Sequence, residues 1–520
     1  MDWARAPESR EQSVLFPCRL DEAIAKTHSV RLLDEILHRI DWSEWEAGYA
    51  LTKGQPPIHP QVMAGVILYG ILKRVRSTRG LEEAIQVRLD FRWLVEGRTI
   101  DHTTISKFRR RHQEGLKSLF VQIGLIAREM GCLPLETLAF DGTRMRANNR
   151  RSGTRTPERL REMQKELARK FSEIEKKIDV ADQEDSEVFG DESSHTLSQQ
   201  LSDIEHRRKQ VDAAIAELDR MEEAGEPIPK RLPTTDAHSR VTPNKDGGFA
   251  PNYTPLATVD VDSGFIVSAD VISHTDESGH LIQAIEDVQK QFSLDSPPKE
   301  VLADGMMATG ENLQECESRN ITLYSPLPGK SDENPAIRED LTQPVSEKDR
   351  TQLPTIKYTR KEEKRQQISK EAFIYDEAND CYWCPEGKSL QYTGTTSEKS
   401  RKGKRLQRRR YKASEVDCSG CPLRDLCLRD KAKRRQINHG QYEKHRIAHA
   451  KRMATEEARA KYARRQHPGE RPFAEIKHHF GARQFLLRGL KLVRHEWQWL
   501  ATAFNLHRLM SQIESRAGPA

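Results

Sequence analysis

The sequence contains one stretch around which the rest is organised, Leu138-Ala139-Phe140-Asp141-Gly142-Thr143. It predicts a β-strand that runs into a turn, with a single acid at the end of an apolar run. A carboxylate in that position is costly unless it is paired or holds a cation, although Asp and Gly are also favoured in ordinary turns. A second copy lies far downstream, Val301-Leu302-Ala303-Asp304-Gly305. The repetition makes Asp141 and Asp304 candidates for one site assembled from distant parts of the chain.

The composition predicts a protein of several domains without a membrane span. The chain has 520 residues, of which 36% are hydrophobic and 32% charged, enough for about two to four domains. Its net charge of +6 does not by itself indicate nucleic-acid binding, which local clusters must indicate. No apolar run approaches ~18 residues, and the N-terminus lacks a signal-peptide core. We therefore expect a cytoplasmic protein in which the eight Cys do not form structural disulfides.

The first 130 residues are expected to be helical. Apolar residues at spacings of three and four predict helices over Ser29–Ile40, Pro60–Val75 and Arg79–Leu94. Asp101 or Thr103 is a suitable cap for a further helix, which would carry a basic surface made of Lys107, Arg109, Arg110 and Arg111. A helix-turn-helix contact to DNA through Lys107 and Arg110 and a solvated basic helix in a compact bundle explain this pattern equally well.

The middle of the chain predicts a helical hairpin followed by a mixed sheet. Pro157–Asp179 and Leu197–Glu223 are expected to form antiparallel helices, which serve as a DNA-facing arm, a dimer contact or a solvent-exposed insertion. Further elements are predicted as a hairpin over Leu256–Val261 and Phe265–Val271, a helix over Ser278–Phe292, a helix over Gly310–Ser318 capped by Thr309, and a strand over Ile321–Tyr324. Strands alternating with helices in this way suit an α/β sheet covered by helices.

A polar, basic and apparently irregular segment, 328–455, carries two cysteine motifs. Its cysteines are Cys381, Cys384, Cys418, Cys421 and Cys427, a pattern typical of tetrahedral zinc, with five thiols competing for four places; reduced thiols without metal are the alternative. The remaining Cys18, Cys132 and Cys316 are expected to be buried small hydrophobes. Between the motifs run the basic residues Lys399, Arg401, Lys402, Lys404, Arg405, Arg408, Arg409, Arg410 and Lys412. This cluster is either a phosphate-binding surface or a solvated loop.

The C-terminal segment offers a third acid. Residues 462–477 read Tyr-Ala-Arg-Arg-Gln-His-Pro-Gly-Glu-Arg-Pro-Phe-Ala-Glu-Ile-Lys, so both Glu470 and Glu475 are candidates. Lys477 lies seven positions, or about two helical turns, after Glu470 and therefore shares its helix face. We expect Phe473 and Ala474 to pack on the sheet from that face. Two further expectations are a helix that starts near Pro468 with Pro472 in its first turn, and a core helix over Leu492–Met510.

Taken together, these motifs resemble bacterial insertion-sequence transposases of the DDE class, and the first 130 residues resemble the InsH-type helical domain that precedes their catalytic domain. The resemblance implies an α/β fold with an RNase H-like mixed-sheet core, a helical N-terminal domain, a helical-hairpin insertion and a Cys-rich zinc-binding insertion. The corresponding domains are 1–130 (helical, DNA-binding), 131–149 with 236–327 (core), 150–235 (helical insertion), 328–455 (basic Cys-rich insertion) and 456–520 (C-terminal helical part of the core).

The resemblance also implies a chemistry. Asp141, Asp304 and a glutamate would hold two divalent cations, usually Mg²⁺ with Mn²⁺ as a substitute, because hard cations prefer oxygen ligands and two of them promote in-line phosphoryl transfer. The substrates would be double-stranded DNA, namely terminal inverted repeats and target DNA. The family pattern, with Lys seven positions beyond the Glu, favours Glu470 over Glu475. It also implies a homodimer in the synaptic complex, located at the nucleoid.

Several contacts are carried over from the same resemblance. Lys477 and either Arg464 or Arg465 are expected to contact DNA phosphates; solvated helix faces are the alternative. Zinc would be bound by Cys384, Cys418, Cys421 and Cys427, unless Cys381 replaces Cys427. Two rival functions stay open: a related DNA nuclease that joins nothing, and an inactive, transposase-derived DNA-binding protein.

Overall fold

The computed structural model describes residues 19–49, 56–183, 192–244, 247–327, 334–360, 363–399, 405–429 and 431–517. Its contacts divide the chain into two compact units. Unit 1 contains Met1–Glu277, Gln283–Pro298 and Gln466–Ala520, and unit 2 contains Ser278–Ile282 and Lys299–Arg465. Helices and strands are found throughout the described parts of both units, so the mixed α/β class predicted from the sequence is correct, whereas the RNase H-like fold stays a prediction.

Seven helices lie in the described part of unit 1 before its first strand, and they include the helices that the apolar spacing predicts near residues 29, 60 and 79. They are α1 (Ser29–His38), α2 (Ser43–Glu46), α3 (Pro60–Leu72), α4 (Thr78–Val87), α5 (Leu89–Leu94), α6 (His102–Arg111) and α7 (Gln113–Glu129). The single helix expected up to Leu94 is two helices, because the backbone of Arg88 is extended and interrupts the hydrogen-bond ladder. Asp101 is the cap of α6, since its Oδ1 accepts bonds from the N–H groups of Thr103 and Thr104 at 2.8 and 3.0 Å.

These helices share a hydrophobic core with the end of the chain. The last helix, α18 (Leu490–Ala517), packs against α3 and α7. Trp45 is fully buried; its ring stacks on Phe108 with centroids 5.5 Å apart and also meets Trp499 at 6.1 Å. The predicted core helix Leu492–Met510 is therefore confirmed, and it completes the core of the N-terminal helices.

The sheet of unit 1 is built around one long strand. This strand is β6 (Phe249–Asp260). Four strands pair with it in antiparallel orientation: β1 (Thr137–Gly142), β2 (Met145–Arg146), β5 (Arg240–Pro243) and β7 (Ile266–Ile272). The predicted hairpin is the β6–β7 pair. Most of α10 (Leu281–Gln291) also belongs to this unit, together with α17 (Gln466–Ala474) and a π-helical turn, Glu475–His479.

The predicted helical hairpin is also present in unit 1. It consists of α8 (Pro157–Gln183) and α9 (Glu192–Glu223), which pack together, with the short strands β3 (Thr154–Arg155) and β4 (Leu232–Pro233) paired at its base. Its apolar contacts come from Leu160, Leu167, Val211, Ala214, Ile215 and Leu218. The sparse apolar residues of this segment are thus enough to hold two helices, but not a wider core.

Unit 2 contains a parallel strand pair and an antiparallel sheet. The parallel pair is β8 (Glu300–Ala303) with β9 (Thr322–Tyr324), and α11 (Gly310–Ser318) between them is capped by Thr309 as predicted. A second pair is β10 (Thr355–Arg360) with β11 (Glu363–Ile368). The larger sheet has the order β12 (Ile374–Asp376), β13 (Cys381–Trp383), β14 (Ser389–Lys399), β15 (Arg405–Ala413), β16 (Gln436–Gly440). The helices are α12 (Glu347–Arg350), α13 (Glu415–Ser419), α14 (Arg424–Cys427), α15 (Glu443–Met453) and α16 (Glu456–Ala463).

The prediction that 328–455 is irregular is therefore wrong. The five-stranded sheet has a small core in which Tyr375, Tyr382 and Tyr411 pack around His439, with ring centroids 4.6–6.0 Å apart. The same core also buries apolar residues, among them Ile368, Phe373, Leu390, Ala413 and Ile437. Among the described residues, no helix is long and apolar enough to cross a membrane.

Candidate active site

Asp141 lies near the end of β1, half-buried, in a strand that does not turn away after it. Its Oδ1 accepts a hydrogen bond from the N–H of Gly142 at 2.9 Å. Gly142 pairs with Leu256, and Met145 of β2 pairs with Tyr253, so β1 and β2 follow β6 in one register. The prediction of a turn after Asp141 is therefore wrong. The chain continues along β6 because the N–H of Thr143 also bonds to β6, at the carbonyl of Pro255, 2.9 Å away.

Lys477 joins the C-terminal helix α17 to this strand end. Its Nζ donates to Thr143 Oγ1 at 2.6 Å and to the carbonyl of Arg144 at 2.9 Å. Lys477 lies in the π-helical turn that continues α17, the helix that carries Glu470. The strand of Asp141 and the helix of Glu470 are thus held together by two direct bonds from one ammonium group.

The two candidate glutamates have different surroundings. Glu475 is directed to the core helix α18, where its Oε1 meets His507 Nδ1 at 2.8 Å, and only 14% of its side chain is exposed. Burial raises the pKa of Glu475, but the hydrogen bond and charge of His507 outweigh burial and hold the pKa below its usual value. Glu470, by contrast, is exposed to solvent. Glu475 therefore has a structural partner in α18 that accounts for its carboxylate.

The helix of Glu470 differs in detail from the prediction. It begins at Gln466 rather than near Pro468, and Pro472 lies in its interior. Phe473 is buried and stacks on Trp497 at 5.9 Å, as expected, but Ala474 is exposed. Proline has no N–H to continue the ladder, and Pro472 is followed by the π-helical turn Glu475–His479, in which Ile476 is buried.

An acid that sequence reasoning missed lies beside Gly142. A Cβ built on Gly142 would lie 2.5 Å from the carboxyl carbon of Glu277 and 2.6 and 2.7 Å from its two oxygens. Glu277 belongs to a polar segment after β7, Ser273-His274-Thr275-Asp276-Glu277, which has no periodicity or motif. The only signal available in the sequence was the glycine after Asp141, which we interpreted as a turn residue.

Asp304, in unit 2, is the second strand-end acid and has a different local structure. It caps a short 3-10 turn, Gly305–Met307, and its Oδ1 accepts from the N–H of Met306 at 2.6 Å. Ser325 Oγ donates to the Asp304 carbonyl, also at 2.6 Å. Here the predicted turn is correct. A Cβ on Gly305 would lie 2.8 Å from the carbonyl oxygen of Pro326, so glycine allows the close approach of these two segments.

Arg464 and Arg465 follow α16 in unit 2. Arg464 is the C-terminal capping residue of that helix, and the N–H of Arg465 bonds to the carbonyl of Tyr462 at 3.0 Å. Arg464 is exposed and Arg465 is half-buried. Their contact with DNA stays a prediction.

The basic segment of unit 2 forms part of the sheet rather than a loop. Arg408, Arg409 and Arg410 lie on β15; Arg401, Lys402 and Lys404 lie outside the described residues. Arg408 forms an ion pair with Glu398, and Arg409 with Asp380 at 2.5 Å. The basic run itself contains no acid, but Glu398 on β14 and Asp380 before β13 pair with two of its arginines. These pairs are 40–58% exposed, where an ion pair contributes about 1 kcal/mol or less.

Four of the cysteines supply suitable donor atoms for zinc without forming a metal-binding arrangement. Burial, together with the nearby Cys421, Cys418 and Cys384, raises the pKa of the Cys427 thiol to about 12, against the charge of Arg435. Among the described residues, however, no group of three or more Cys, His, Asp or Glu is placed to hold a metal ion, so the predicted zinc site is not found. Cys381 is buried in β13. Cys316 is buried as expected, Cys132 is only half-buried, and Cys18 lies outside the described residues.

The basic face predicted for α6 is only partly exposed. Lys107 and Arg110 are exposed, but Arg109 points inward with 9% of its surface accessible. Burial lowers the pKa of the Arg109 guanidinium to about 10, against the opposing charge of Glu496. Lys107 and Arg110 remain available for a DNA contact, whereas Arg109 belongs to the interior.

Two family models match the chain. A transposase DDE domain matches residues 383–510, and a transposase domain (DUF772) matches residues 18–111. The first match includes Glu470, Lys477 and four cysteines, Cys384, Cys418, Cys421 and Cys427, but not Cys381, and the second includes Lys107 and Arg110; Asp141 and Asp304 lie outside both. No curated protein matches the chain.

Proposed function

Because its two family matches support an insertion-sequence transposase of the DDE class, we propose that this chain cleaves the ends of a DNA element and joins the freed 3′-hydroxyl to target DNA. The contact of Lys477 with Thr143 and Arg144 carries the proposal furthest. Within unit 1 it links the segment that directly follows β1, the strand of Asp141, to the turn that continues the helix of Glu470, although more than 300 residues of sequence separate the two.

We assign the metal-binding roles to Asp141, Asp304 and Glu470. All three are carboxylates, the ligands that Mg²⁺ and Mn²⁺ prefer, and none is an interior member of an apolar core. Two bound cations would activate the attacking oxygen and stabilise the leaving oxygen of an in-line transfer. The pairing of Glu475 with His507 supports Glu470 as the third acid, since Glu475 already has a structural role.

The DNA contacts form the second part of the proposal. Lys477, Arg464, Arg465, Arg408, Arg409, Arg410, Lys107 and Arg110 are assigned to DNA phosphates, which position a duplex without reading its sequence. Lys477 is placed beside the segment that follows Asp141, where the phosphate to be cleaved would have to lie. A homodimer would present two such sites to the two ends of one element.

A structural zinc ion bound by four cysteines of unit 2 is the third part of the proposal. Cys384, Cys418, Cys421 and Cys427 would have to move closer together and lose their protons to bind it, because the described residues do not hold them as a metal-binding group. The motif spacing and the mutual influence of these thiols are its support.

The test is an end-cleavage and joining assay with DNA fragments that carry the terminal sequences of the element encoding this chain. We expect the wild-type chain to nick and then join these fragments when Mg²⁺ or Mn²⁺ is added, and Asp141→Asn to do neither. A control substitution of an exposed acid at the end of α7, Glu129→Gln, should leave both steps intact. Nicking without joining would establish the nuclease instead, and binding without nicking would establish the DNA-binding protein.

A further inference from the structure

Two segments of unit 1, 143–150 and 483–491, form a surface that we call the basic strip. Its exposed basic side chains are Arg144, Arg146, Arg150, Arg483, Arg488 and Lys491. No Asp or Glu occurs between residues 142 and 157, or between residues 476 and 495. The positive charge of the strip is therefore not cancelled by neighbours in sequence.

Backbone hydrogen bonds hold the two segments side by side. Arg146 forms a parallel bridge with Gln484, and its carbonyl accepts a bond from the N–H of Phe485 at 2.9 Å. Further along, Nε of Arg488 donates to the carbonyl of Asn148 at 2.9 Å. Arginines that are separated by more than 300 positions in the sequence therefore lie on one surface.

Buried carboxylates fix the second segment from the interior. Glu496 accepts the N–H groups of Leu486 and Leu487 at 2.9 and 2.8 Å, and Oδ1 of Asp236 accepts the N–H of Gly489 at 3.1 Å. Only 8% of Glu496 and 3% of Asp236 are exposed. These acids therefore lie inside the protein and hold the backbone in place, while the basic side chains stay at the surface.

The arginines of the first segment are not paired with acids. Within the described parts of the chain, the side chains of Arg146 and Arg150 form no hydrogen bond or ion pair. Arg144 donates to the carbonyl of Pro243 at 2.9 Å, a neutral acceptor that leaves its charge uncompensated. A guanidinium presents several N–H donors in a planar fork that matches the oxygens of a phosphate. Exposed arginines of this kind suit a partner that carries many phosphates.

The basic strip begins where the candidate active site ends. Lys477 contacts Thr143 and the carbonyl of Arg144, directly after the strand of Asp141. Arg144 and Arg146 are exposed and Met145 between them is buried, so the two arginines face the same side of the chain. A duplex with its cleaved phosphate near Asp141 could therefore continue along the strip.

We propose that the basic strip binds the phosphate backbone of duplex DNA beside the position of cleavage. This inference rests on the proposed function, because it takes Asp141 to mark that position. It adds a contact surface in unit 1 to the residues assigned to DNA above. Phosphate contacts position a duplex without reading its sequence, so the strip would orient the DNA for cleavage and leave recognition of the element's ends to other residues.

The test is fluorescence anisotropy of a labelled duplex with the full-length chain at several salt concentrations and without divalent metal. A neutral double variant carries Arg146→Gln and Arg488→Gln, and a charged double variant carries Arg146→Lys and Arg488→Lys. The control is Arg516→Gln, an exposed arginine near the far end of α18, about 39 Å from Leu490 at about 1.5 Å per residue.

We expect the neutral double variant to lower the slope of log affinity against log salt by about two, since each phosphate contact contributes about 0.9. The charged double variant and Arg516→Gln should keep the wild-type slope. A wild-type slope in the neutral double variant overturns the inference. A slope lowered equally in the charged double variant also overturns it, because the loss would then not be one of charge.

The place of the contact is tested with a duplex in which the phosphates that flank the cleavage position are replaced by uncharged methylphosphonates. The wild-type chain should bind this duplex about tenfold or more weakly than the unmodified one, whereas the neutral double variant should bind both alike. Equal weakening in the two proteins overturns the inference, because effects of groups that do not interact are additive.

Failure of the inference and failure of the proposed function are distinguishable. A neutral double variant that binds as the wild type does, in a chain that cleaves and joins DNA, overturns the inference alone. A wild-type chain that cleaves no DNA overturns the proposed function, and with it the place assigned to the strip, even where the neutral double variant has the lower slope.

Discussion

Arg76 and Glu496 form a buried ion pair although 420 positions separate them, with 2.7 Å between Nη2 of Arg76 and Oε1 of Glu496. Arg76 also donates to the carbonyl of Gln484 at 3.0 Å, and Glu496 accepts the N–H groups of Leu486 and Leu487 at 2.9 and 2.8 Å. One ion pair therefore links the N-terminal helices, the loop before α18, and α18 itself.

Breaking this pair should destabilise unit 1 strongly. The two side chains are only 12% and 10% exposed, and removal of one partner leaves the other charge buried, at a cost of about 3–5 kcal/mol. We expect Glu496→Ala to lower the free energy of unfolding by that amount in urea denaturation. The matched control is Glu35→Ala, whose pair with Arg39 is 63% exposed on both sides and should contribute less than about 1 kcal/mol. Equal effects would contradict the prediction.

The two glutamates of the C-terminal helix should separate activity from stability. Glu470→Gln, like Asp141→Asn and Asp304→Asn, should reduce DNA cleavage by about 100-fold or more, because even outer partners of a metal site are worth 10–100-fold. Glu475→Gln should instead lower the free energy of unfolding by about 1–3 kcal/mol, since it removes the negative charge from the hydrogen bond to His507. Cleavage rates and thermal melts of the four variants are the measurement. If Glu475→Gln is inactive but melts as the wild type does, Glu475 rather than Glu470 is the third metal ligand.

The stability of unit 1 should fall in mild acid because of His112. Burial, with the charge of Arg111, lowers the pKa of His112 to about 4, whereas an unfolded histidine has a pKa of about 6.5. Between these values the unfolded chain binds more protons than the folded one, so stability falls as pH drops from about 7 to about 4. We expect a loss of about 2 kcal/mol from this residue, measured as the unfolding free energy at several pH values.

The control for this prediction is a variant in which the side chain at position 112 cannot bind a proton. His112→Asn should make the pH dependence shallower, even if the loss of its contact with Tyr49 Oη, at 3.0 Å, lowers stability at every pH. His495 has a similarly lowered pKa of about 4, so some dependence should remain in the variant. An unchanged slope in His112→Asn would contradict the assignment.

Lys477 should contribute one charge to DNA binding. Replacement of Lys477 by Gln should reduce the slope of log affinity against log salt by about one, uniformly across DNA sequences. Fluorescence anisotropy with labelled duplex at several salt concentrations measures this slope. Thr143→Val is the matched control, because it removes the acceptor 2.6 Å from Nζ without changing charge, and should leave the slope as it is. Identical slopes for Lys477→Gln and the wild type would exclude a phosphate contact.

The four cysteines Cys384, Cys418, Cys421 and Cys427 should bind one zinc ion per chain. Elemental analysis of the purified chain should then show about one Zn²⁺, lost in Cys418→Ser and Cys421→Ser, since structural zinc uses four ligands. Cys132→Ser in unit 1 is the control and should retain the metal. A zinc-free wild-type chain with an intact fold would show that the aromatic cluster around Tyr382 and Tyr411 suffices for this sheet.

Elements decided by local chemistry could be predicted from the sequence. The boundaries of α11 follow from Thr309, whose hydroxyl accepts from the N–H of Asn312, and the β6–β7 hairpin follows from its Asp-Ser-Gly turn. The sheet β12–β16 could not be predicted, because its core depends on tyrosines of three different strands that only tertiary packing brings together.

The candidate site, too, could be predicted only where local chemistry decides the structure. Asp141 and Asp304 could be singled out from strand-end patterns, but both were expected to precede turns, and only Asp304 does. Whether a glycine begins a turn or makes room for another side chain depends on what packs over it. The approach of Glu277 to Gly142 comes from 135 positions away and leaves no trace in local spacing.

The contact between Trp45 and Trp499 has a consequence for synthesis of the chain. Roughly 450 residues must be made after Trp45 before α18 exists, which at about 5–20 residues per second takes about half a minute to a minute and a half. During that time the N-terminal helices have no permanent cover for their apolar faces. A product that stops before α18 therefore leaves the ribosome with its first folding unit incomplete, so truncated chains should be cleared by proteases rather than persist as DNA-binding fragments.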